Sequence, residues 1–198
     1  MDKVKVNVEA ITDYKVEEAV RRLSVNLSNS YPDAHTIMVS SVAGKEGKSF
    51  VSLQLARVLA GRGAKTIYVN GDLRTGGTEY TGLSEYMQEE TSLDKIICNT
   101  NYKNLDVIHP GKTVGAIINE VMLEKLLKEL AAEYEYIIID TSSLGEVADG
   151  MIIGKFCDGI LLVLEPEVVE EKKIQRVKEE IERNGCKIFG IVLNKDMR

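Results

Sequence analysis

Residues 39–50 read Val39-Ser40-Ser41-Val42-Ala43-Gly44-Lys45-Glu46-Gly47-Lys48-Ser49-Phe50, a glycine-bearing loop that closes on an intact Gly-Lys-Ser. Upstream, His35-Thr36-Ile37-Met38-Val39 is mostly apolar and partly β-branched, which predicts a buried strand. Downstream, Phe50, Val51, Leu53, Leu55, Ala56, Val58 and Leu59 recur at helical spacing, and the run stops at Gly61 and Gly63. In that order, backbone N–H groups and a helix N-terminus converge on a polyphosphate, with one lysine for the β/γ charge and one hydroxyl for Mg²⁺. Gly44, Lys45, Glu46, Gly47, Lys48, Ser49 and Phe50 are therefore candidate nucleotide-binding residues, and Ser49 is a candidate metal ligand. The full phosphate-loop pattern begins with glycine at position 42, where this chain carries Val42.

Outward from the loop, apolar runs alternate with amphipathic helices as far as the C-terminus. The spacing predicts strands near 35–41, 65–70, 104–108, 135–140, 158–164 and 187–193. It predicts helices near 15–29, 49–62, 116–132, 145–155 and 168–183. This is an α/β pattern, a mostly parallel central sheet flanked by helices on both faces. Ile137-Ile138-Ile139 and Ile160-Leu161-Leu162-Val163-Leu164 are continuous rather than alternating, as in strands covered on both sides. Residues 71–103 are polar, glycine-bearing and only briefly periodic, so they read as a mobile surface segment.

A length of 198 residues fits one domain, 1–198, better than two. The net charge of −6 argues against general nucleic-acid binding by a basic surface. Cys98, Cys157 and Cys186 are odd in number and widely spaced, which predicts buried thiols in a reducing cytosol and neither a zinc site nor a disulfide framework. No stretch approaches the length of a membrane span, and the N-terminus lacks the apolar core of a signal peptide.

In open α/β sheets a ligand lies beyond the carboxyl ends of the strands, so polar residues that end apolar runs are candidates. Ile67-Tyr68-Val69-Asn70-Gly71-Asp72-Leu73-Arg74 places Asp72 to hold a metal-bound water and Arg74 to meet a phosphate or carboxylate. Tyr136-Ile137-Ile138-Ile139-Asp140 has the form of a Walker B strand, whose carboxylate orders Mg²⁺ through its water shell. Asn194 ends the last run, either to hydrogen-bond a purine base edge or to cap its strand.

With these residues the chain resembles the bacterial tyrosine kinases of capsular and exopolysaccharide synthesis, in the same P-loop NTPase branch as the partition and division-site ATPases. Glu46-Gly47-Lys48-Ser49 matches the core of that family's loop. Asn70-Gly71-Asp72-Leu73-Arg74 resembles its Asp-x-Asp-x-Arg, and Asp140-Thr141-Ser142-Ser143 its Asp-Thr-Pro-Pro. The segment from Glu18 to Leu27 resembles its oligomerisation helix, keeping Glu18 and Arg21 but carrying Ser24 in place of the second arginine. Gly44 stands for the usual proline, Lys45 for glycine and Phe50 for threonine. Lys45 must then tolerate a backbone geometry that glycine takes freely. Ser142-Ser143 loosens a turn without removing a metal ligand. No tyrosine follows Tyr136, so the family's acceptor tail is not in this sequence.

The resemblance implies ATP and Mg²⁺ as cofactors, with Lys48, Asp72 and Asn70 as the catalytic set and Ser49, Asp72 and Asp140 around the metal. Asn70 stands where the family's first aspartate deprotonates the incoming tyrosine, and an amide cannot accept that proton. Two functions follow: a tyrosine kinase with slow transfer, or a catalytically inactive nucleotide-binding module that acts by partner assembly. The short leader before the first core strand implies a separate transmembrane activator. A cytoplasmic protein recruited to the inner membrane face is expected, with homo-oligomers, no nucleic acid and no direct membrane insertion.

Overall fold

The structure is a computed structural model describing residues 4–9, 13–74, 77–166 and 169–195. In chain order these form β1 (Lys5–Val6), α1 (Tyr14–Ser30), β2 (Thr36–Ser41), α2 (Lys48–Gly61), β3 (Thr66–Asn70), α3 (Leu83–Met87), α4 (Leu93–Ile96) and β4 (Ile97–Thr100). They continue with β5 (Leu105–Ile108), α5 (Glu120–Ala131), β6 (Tyr136–Asp140), α6 (Asp149–Gly154), β7 (Gly159–Leu164), α7 (Glu171–Arg183) and β8 (Ile188–Leu193).

The strands join in one sheet of order β1-β4-β5-β3-β6-β2-β7-β8. Neighbours run parallel except β4 and β5. Because side chains alternate along a strand, Ile137 and Ile139 enter one core and Ile138 the other. On one face Val20 and Leu27 of α1 and Val51, Leu55 and Leu59 of α2 pack with Ile37, Val39, Tyr68 and Ile138. On the other, Leu123, Leu126, Leu130, Ile153, Val177 and Ile181 from α5, α6 and α7 pack with Ile67, Val69, Ile137 and Ile139. Helices thus cover both faces, as the alternating pattern requires.

Helix starts follow local chemistry. Asp13 caps α1, accepting from Lys15 N at 2.7 Å and Val16 N at 3.4 Å. Asn119 caps α5 through Val121 N and Met122 N at 3.1 and 3.3 Å, so this helix begins at Glu120, later than its apolar spacing suggests. Near 145–155 only Asp149–Gly154 is helical, because the preceding turn carries side chains onto the loop after β2. The last helix begins at Glu171; residue 168, where the spacing starts it, lies outside the described residues.

The 71–103 segment departs most from expectation. Its described residues form α3, α4 and β4, with Leu83, Tyr86, Met87, Ile96 and Ile97 in the core. The buried Glu85 carboxylate fastens it, accepting from Gly82 N at 2.8 Å, Ser84 Oγ at 2.7 Å and both Lys112 N and Thr113 N at 3.0 Å. Burial opposes ionisation of Glu85, but these donors overcome it and hold its pKa at about 2.

Cys98 is buried, whereas Cys157 and Cys186 are only partly covered, and no disulfide joins the three. Among the described residues no helix is long and apolar enough to cross a membrane.

Candidate nucleotide site

The loop between β2 and α2 lies at the carboxyl end of the sheet, where β2 is flanked by β6 and β7. Gly47 has φ +81° and Lys45 φ +66°, so both residues take the left-handed conformation expected at position 45 of glycine alone. Side chains clamp the loop from below. Glu46 is buried; its carboxylate accepts from Ala43 N at 2.6 Å and Glu165 N at 3.1 Å. Asn194 Nδ2 donates to the Glu46 carbonyl at 3.0 Å, and a side chain at Gly47 would overlap that amide. Glu46 therefore offers a ligand only its main chain, and Asn194 is engaged in bracing the loop. Val42, at the position where the full pattern has glycine, is buried in the apolar core.

Lys48 opens α2 and places Nζ 3.9 Å from Asp72 Oδ2, an ion pair without a direct hydrogen bond. The other Asp72 oxygen accepts from Ser142 Oγ at 2.7 Å and Arg74 N at 3.2 Å. Arg74 itself pairs with Asp149, Nε to Oδ2 3.2 Å. Asn70 Oδ1 accepts Asp72 N at 3.1 Å. Asp140 is fully buried; its Oδ2 accepts from Tyr68 OH at 3.1 Å, while Oδ1 has no hydrogen-bond partner. Burial raises the Asp140 pKa, and Ser49, Lys48 and Tyr68 pull it back. Burial, then the Asp140 charge, pushes the Tyr68 hydroxyl well up, so it remains a donor.

Lys48, Ser49, Asp72 and Asp140 are thus brought together, with Asn70 paired in register with Asp140 at the strand ends. Among the described residues no group of three His, Cys, Asp or Glu side chains is arranged to hold a metal by itself. Two carboxylates and a hydroxyl instead suit Mg²⁺ that completes its shell with water and nucleotide phosphates, and Asp140 Oδ1, a buried acceptor without a hydrogen-bond partner, fits such a site. Phe50 lies to the side. Its half-exposed ring lines a cavity with Asn70 and Tyr68.

The AAA domain family profile matches residues 34–185. The tyrosine-protein kinase CpsD of Streptococcus agalactiae is 33% identical over 192 residues, covering 91% of this chain and 83% of the relative. The chain belongs to the bacterial P-loop tyrosine-kinase family of capsular and exopolysaccharide synthesis. Another family relative, the tyrosine-protein kinase YwqD of Bacillus subtilis, is 30% identical over 95% of this chain and 85% of its own length. The kinase domain of the Escherichia coli tyrosine kinase ETK superposes with a TM-score of 0.84 at 27% identity, covering 92% of this chain and 77% of that one. The fold is shared more distantly with the septum-site protein MinD of Pyrococcus horikoshii, solved with Mg-ADP, at a TM-score of 0.68 and 24% identity over 81% of this chain and 70% of that one.

Several residues of this family member's site escape a linear reading. Ser142 and Ser143 do more than loosen a turn: Ser142 binds Asp72, and Ser143 Oγ donates to Glu146 Oε2 at 2.5 Å. Glu146 Oε1 in turn accepts Gly44 N at 3.2 Å, a donor that a proline at position 44 would lack. Nothing local in the sequence announces these bonds. Tyr68 was findable, since it lies two residues before Asn70 on a strand and so shares its face.

Proposed function

We propose that this protein binds Mg-ATP on the loop from Gly44 to Phe50 and acts as a tyrosine-kinase-like regulator of capsular or exopolysaccharide synthesis, with slow phosphoryl transfer. The observation that carries the reading is the convergence of Lys48, Ser49, Asp72 and the unpartnered Asp140 oxygen at the ends of adjacent strands. Lys48 and the loop amides hold the β/γ-phosphates. Ser49 would ligate the metal, and Asp72 and Asp140 would hold its water shell. When bound, Mg²⁺ would supply charge neutralisation on the phosphate oxygens. Tyr68 keeps Asp140 oriented and Ser142 keeps Asp72 oriented, while Asn194 holds Glu46 through one Nδ2 hydrogen and keeps its carbonyl for a base edge.

Transfer is slow because Asn70 takes the aspartate's place, and loss of a positioned base costs about 10²–10⁴ in rate. The side-chain oxygen of Asn70 is also committed to Asp72 N. That commitment favours one alternative: a catalytically inactive nucleotide-binding or scaffold module that works by partner assembly. The test is retention of Mg-ATP by purified protein, then phosphotyrosine formation on a tyrosine-rich peptide. Phosphotyrosine abolished by Lys48→Met supports the kinase; binding without phosphotyrosine supports the module; absence of Mg-ATP affinity refutes both nucleotide-dependent versions and leaves only a scaffold.

The same reading assigns 1–198 to one nucleotide-binding domain. It makes the protein cytoplasmic, recruited to the inner membrane face by a separate transmembrane activator and assembled into homo-oligomers through Glu18 and Arg21 of α1. These two side chains take part in the helix-surface pairs Arg22–Glu18 at 3.3 Å and Arg21–Glu17 at 3.4 Å, each worth only about 0.3–0.5 kcal/mol and so readily exchanged for a neighbouring copy. Gel filtration with and without the activator's cytoplasmic tail tests the assembly; unchanged elution without co-migration refutes it.

A further inference from the structure

The family position held by Asn70 lacks a proton acceptor, yet an imidazole stands beside it. Strands β3 and β5 pair Val69 with Ile108, so the next residues along, Asn70 and His109, are neighbours on strands about 4.8 Å apart. Alternation puts both on the face of Tyr68 and Val107, the side covered by α2. Asn70 is paired on its other side with Asp140. His109, Asn70 and Asp140 therefore form a row across three strand ends, with the metal end at Asp140.

His109 and Asn70 also line one cavity of about 460 Å³ with Tyr68, Phe50, Gln54 and Glu9. It opens beside the phosphate loop and offers an aromatic wall to an incoming ring. The Tyr80 ring stacks on the imidazole with centroids 4.4 Å apart and planes 16° from parallel. His109 Nε2 is buried and has no hydrogen-bond partner. A buried, orphaned nitrogen on an otherwise positioned ring is a cost that the fold alone does not explain.

We infer that His109 is the general base for the acceptor tyrosine, replacing the carboxylate missing at Asn70. The inference rests on the kinase reading above. The phenol enters the cavity against Phe50, and Asn70 Nδ2, turned away from the Asp72 N–H, donates to the phenolic oxygen. That oxygen attacks the γ-phosphorus; the bond from phosphorus to the β,γ-bridging oxygen breaks, and its electron pair leaves with ADP. The phenolic proton passes to His109 Nε2, which is closed to solvent in the nucleotide-free protein and must be uncovered as the ring enters, giving an imidazolium that releases it to solvent when the product leaves. Burial lowers the His109 pKa, which keeps the ring neutral near pH 7. The titratable groups around it are Glu9 and Tyr68 in the cavity and Tyr80, beside Glu79, on the ring face.

The full chain has two histidines, His35 and His109, so imidazole resonances are simple to assign. In the nucleotide-free protein, tyrosine amide should shift the His109 signals and leave those of His35 unmoved. With Mg-ATP and a tyrosine-rich peptide, His109→Gln should retain nucleotide and lose transfer by about 10²-fold or more. The unmodified protein should lose activity as pH falls through the titration of a histidine. The double variant Asn70→Asp with His109→Gln should regain transfer, with that acid limb displaced downward into the carboxylate range. Retained nucleotide in His109→Gln shows that the variant is folded. Equal transfer by His109→Gln and the unmodified protein overturns the inference and leaves the kinase reading intact. Mg-ATP bound with no phosphotyrosine from the unmodified protein overturns the inference too, because the base is present and nothing is transferred; failure to bind Mg-ATP overturns both.

Discussion

Asn70 Oδ1 accepts the backbone N–H of Asp72 at 3.1 Å, and this one bond fixes which end of the amide faces the acceptor cavity. The backbone donor requires the oxygen, so Nδ2 is what Asn70 has left to offer. The same bond shapes the turn that delivers Asp72 to Lys48 and Ser142. Replacing Asn70 by aspartate preserves the turn, because either carboxylate oxygen accepts Asp72 N. It also adds a proton acceptor. Asn70→Asp is expected to lower the stability of the nucleotide-free protein, because the new carboxylate faces Asp140 on the neighbouring strand, and to raise phosphotyrosine formation, by as much as about 10²–10⁴ if no other group acts as base. Denaturant unfolding and a phosphotyrosine assay check the two halves separately.

Tyr68→Phe removes the hydroxyl that donates to Asp140 Oδ2 on a fully buried carboxylate. Leaving that acceptor unsatisfied is expected to cost about 1–3 kcal/mol in the nucleotide-free protein. Loss of this donor moves the Asp140 pKa further up, so Mg-ATP affinity should fall most at low pH. Calorimetric titration of Mg-ATP at two pH values reads this directly.

Gly47→Ala meets two penalties at once. A residue with a Cβ at φ +81° pays about 1–2 kcal/mol, and that Cβ overlaps the Asn194 amide. The variant should lose both stability and nucleotide binding. Adding Asn194→Ala should relieve the overlap while leaving the backbone cost, so part of the stability returns.

At Lys45 the opposite change is informative. The left-handed conformation costs a lysine about 1–2 kcal/mol, whereas glycine loses about 0.5–1 kcal/mol through chain entropy. Lys45→Gly should therefore stabilise the protein by up to about 1 kcal/mol, measured as a rise in the unfolding midpoint. A fall in stability would mean that the lysine side chain contributes a contact that offsets the strain.

Acid stability should depend on Glu85. Its folded pKa of about 2 lies below the ordinary carboxylate value of 4.5. A depressed carboxylate contributes stability that is complete above the unfolded value and lost as pH falls through the folded one, here from about 4.5 down to about 2. Glu85→Gln should flatten the pH dependence of unfolding in that window. It should also release 83–113, read by faster amide exchange at Gly82, Lys112 and Thr113.

Much of the architecture is legible from local pattern. The β2 run, the loop and α2 follow from a stretch of apolar residues, a Gly-Lys-Ser and a helical spacing, since strand and helix periodicities are properties of consecutive residues. The continuous isoleucines of β6 already imply two covered faces. The 71–103 segment was misread because its order comes from Glu85 collecting donors at Gly82, Lys112 and Thr113, partners up to 28 residues away. Likewise β1 and β4 are too short to show alternation, and only pairing with their neighbours makes them strands.

The sequence by itself determined a phosphate loop, Asp140 at the end of one apolar run, and Asn70 at the end of another with Asp72 two residues on. Tertiary structure alone decided that Ser142 would hold Asp72, that Asn194 would brace Glu46, and that His109 would stand beside Asn70. Periodicity says which face of a strand a residue occupies but not which strand lies next to it. The order β5-β3-β6 comes from pairing between strands far apart in the chain, and that order is what brings residues 109, 70 and 140 into one row.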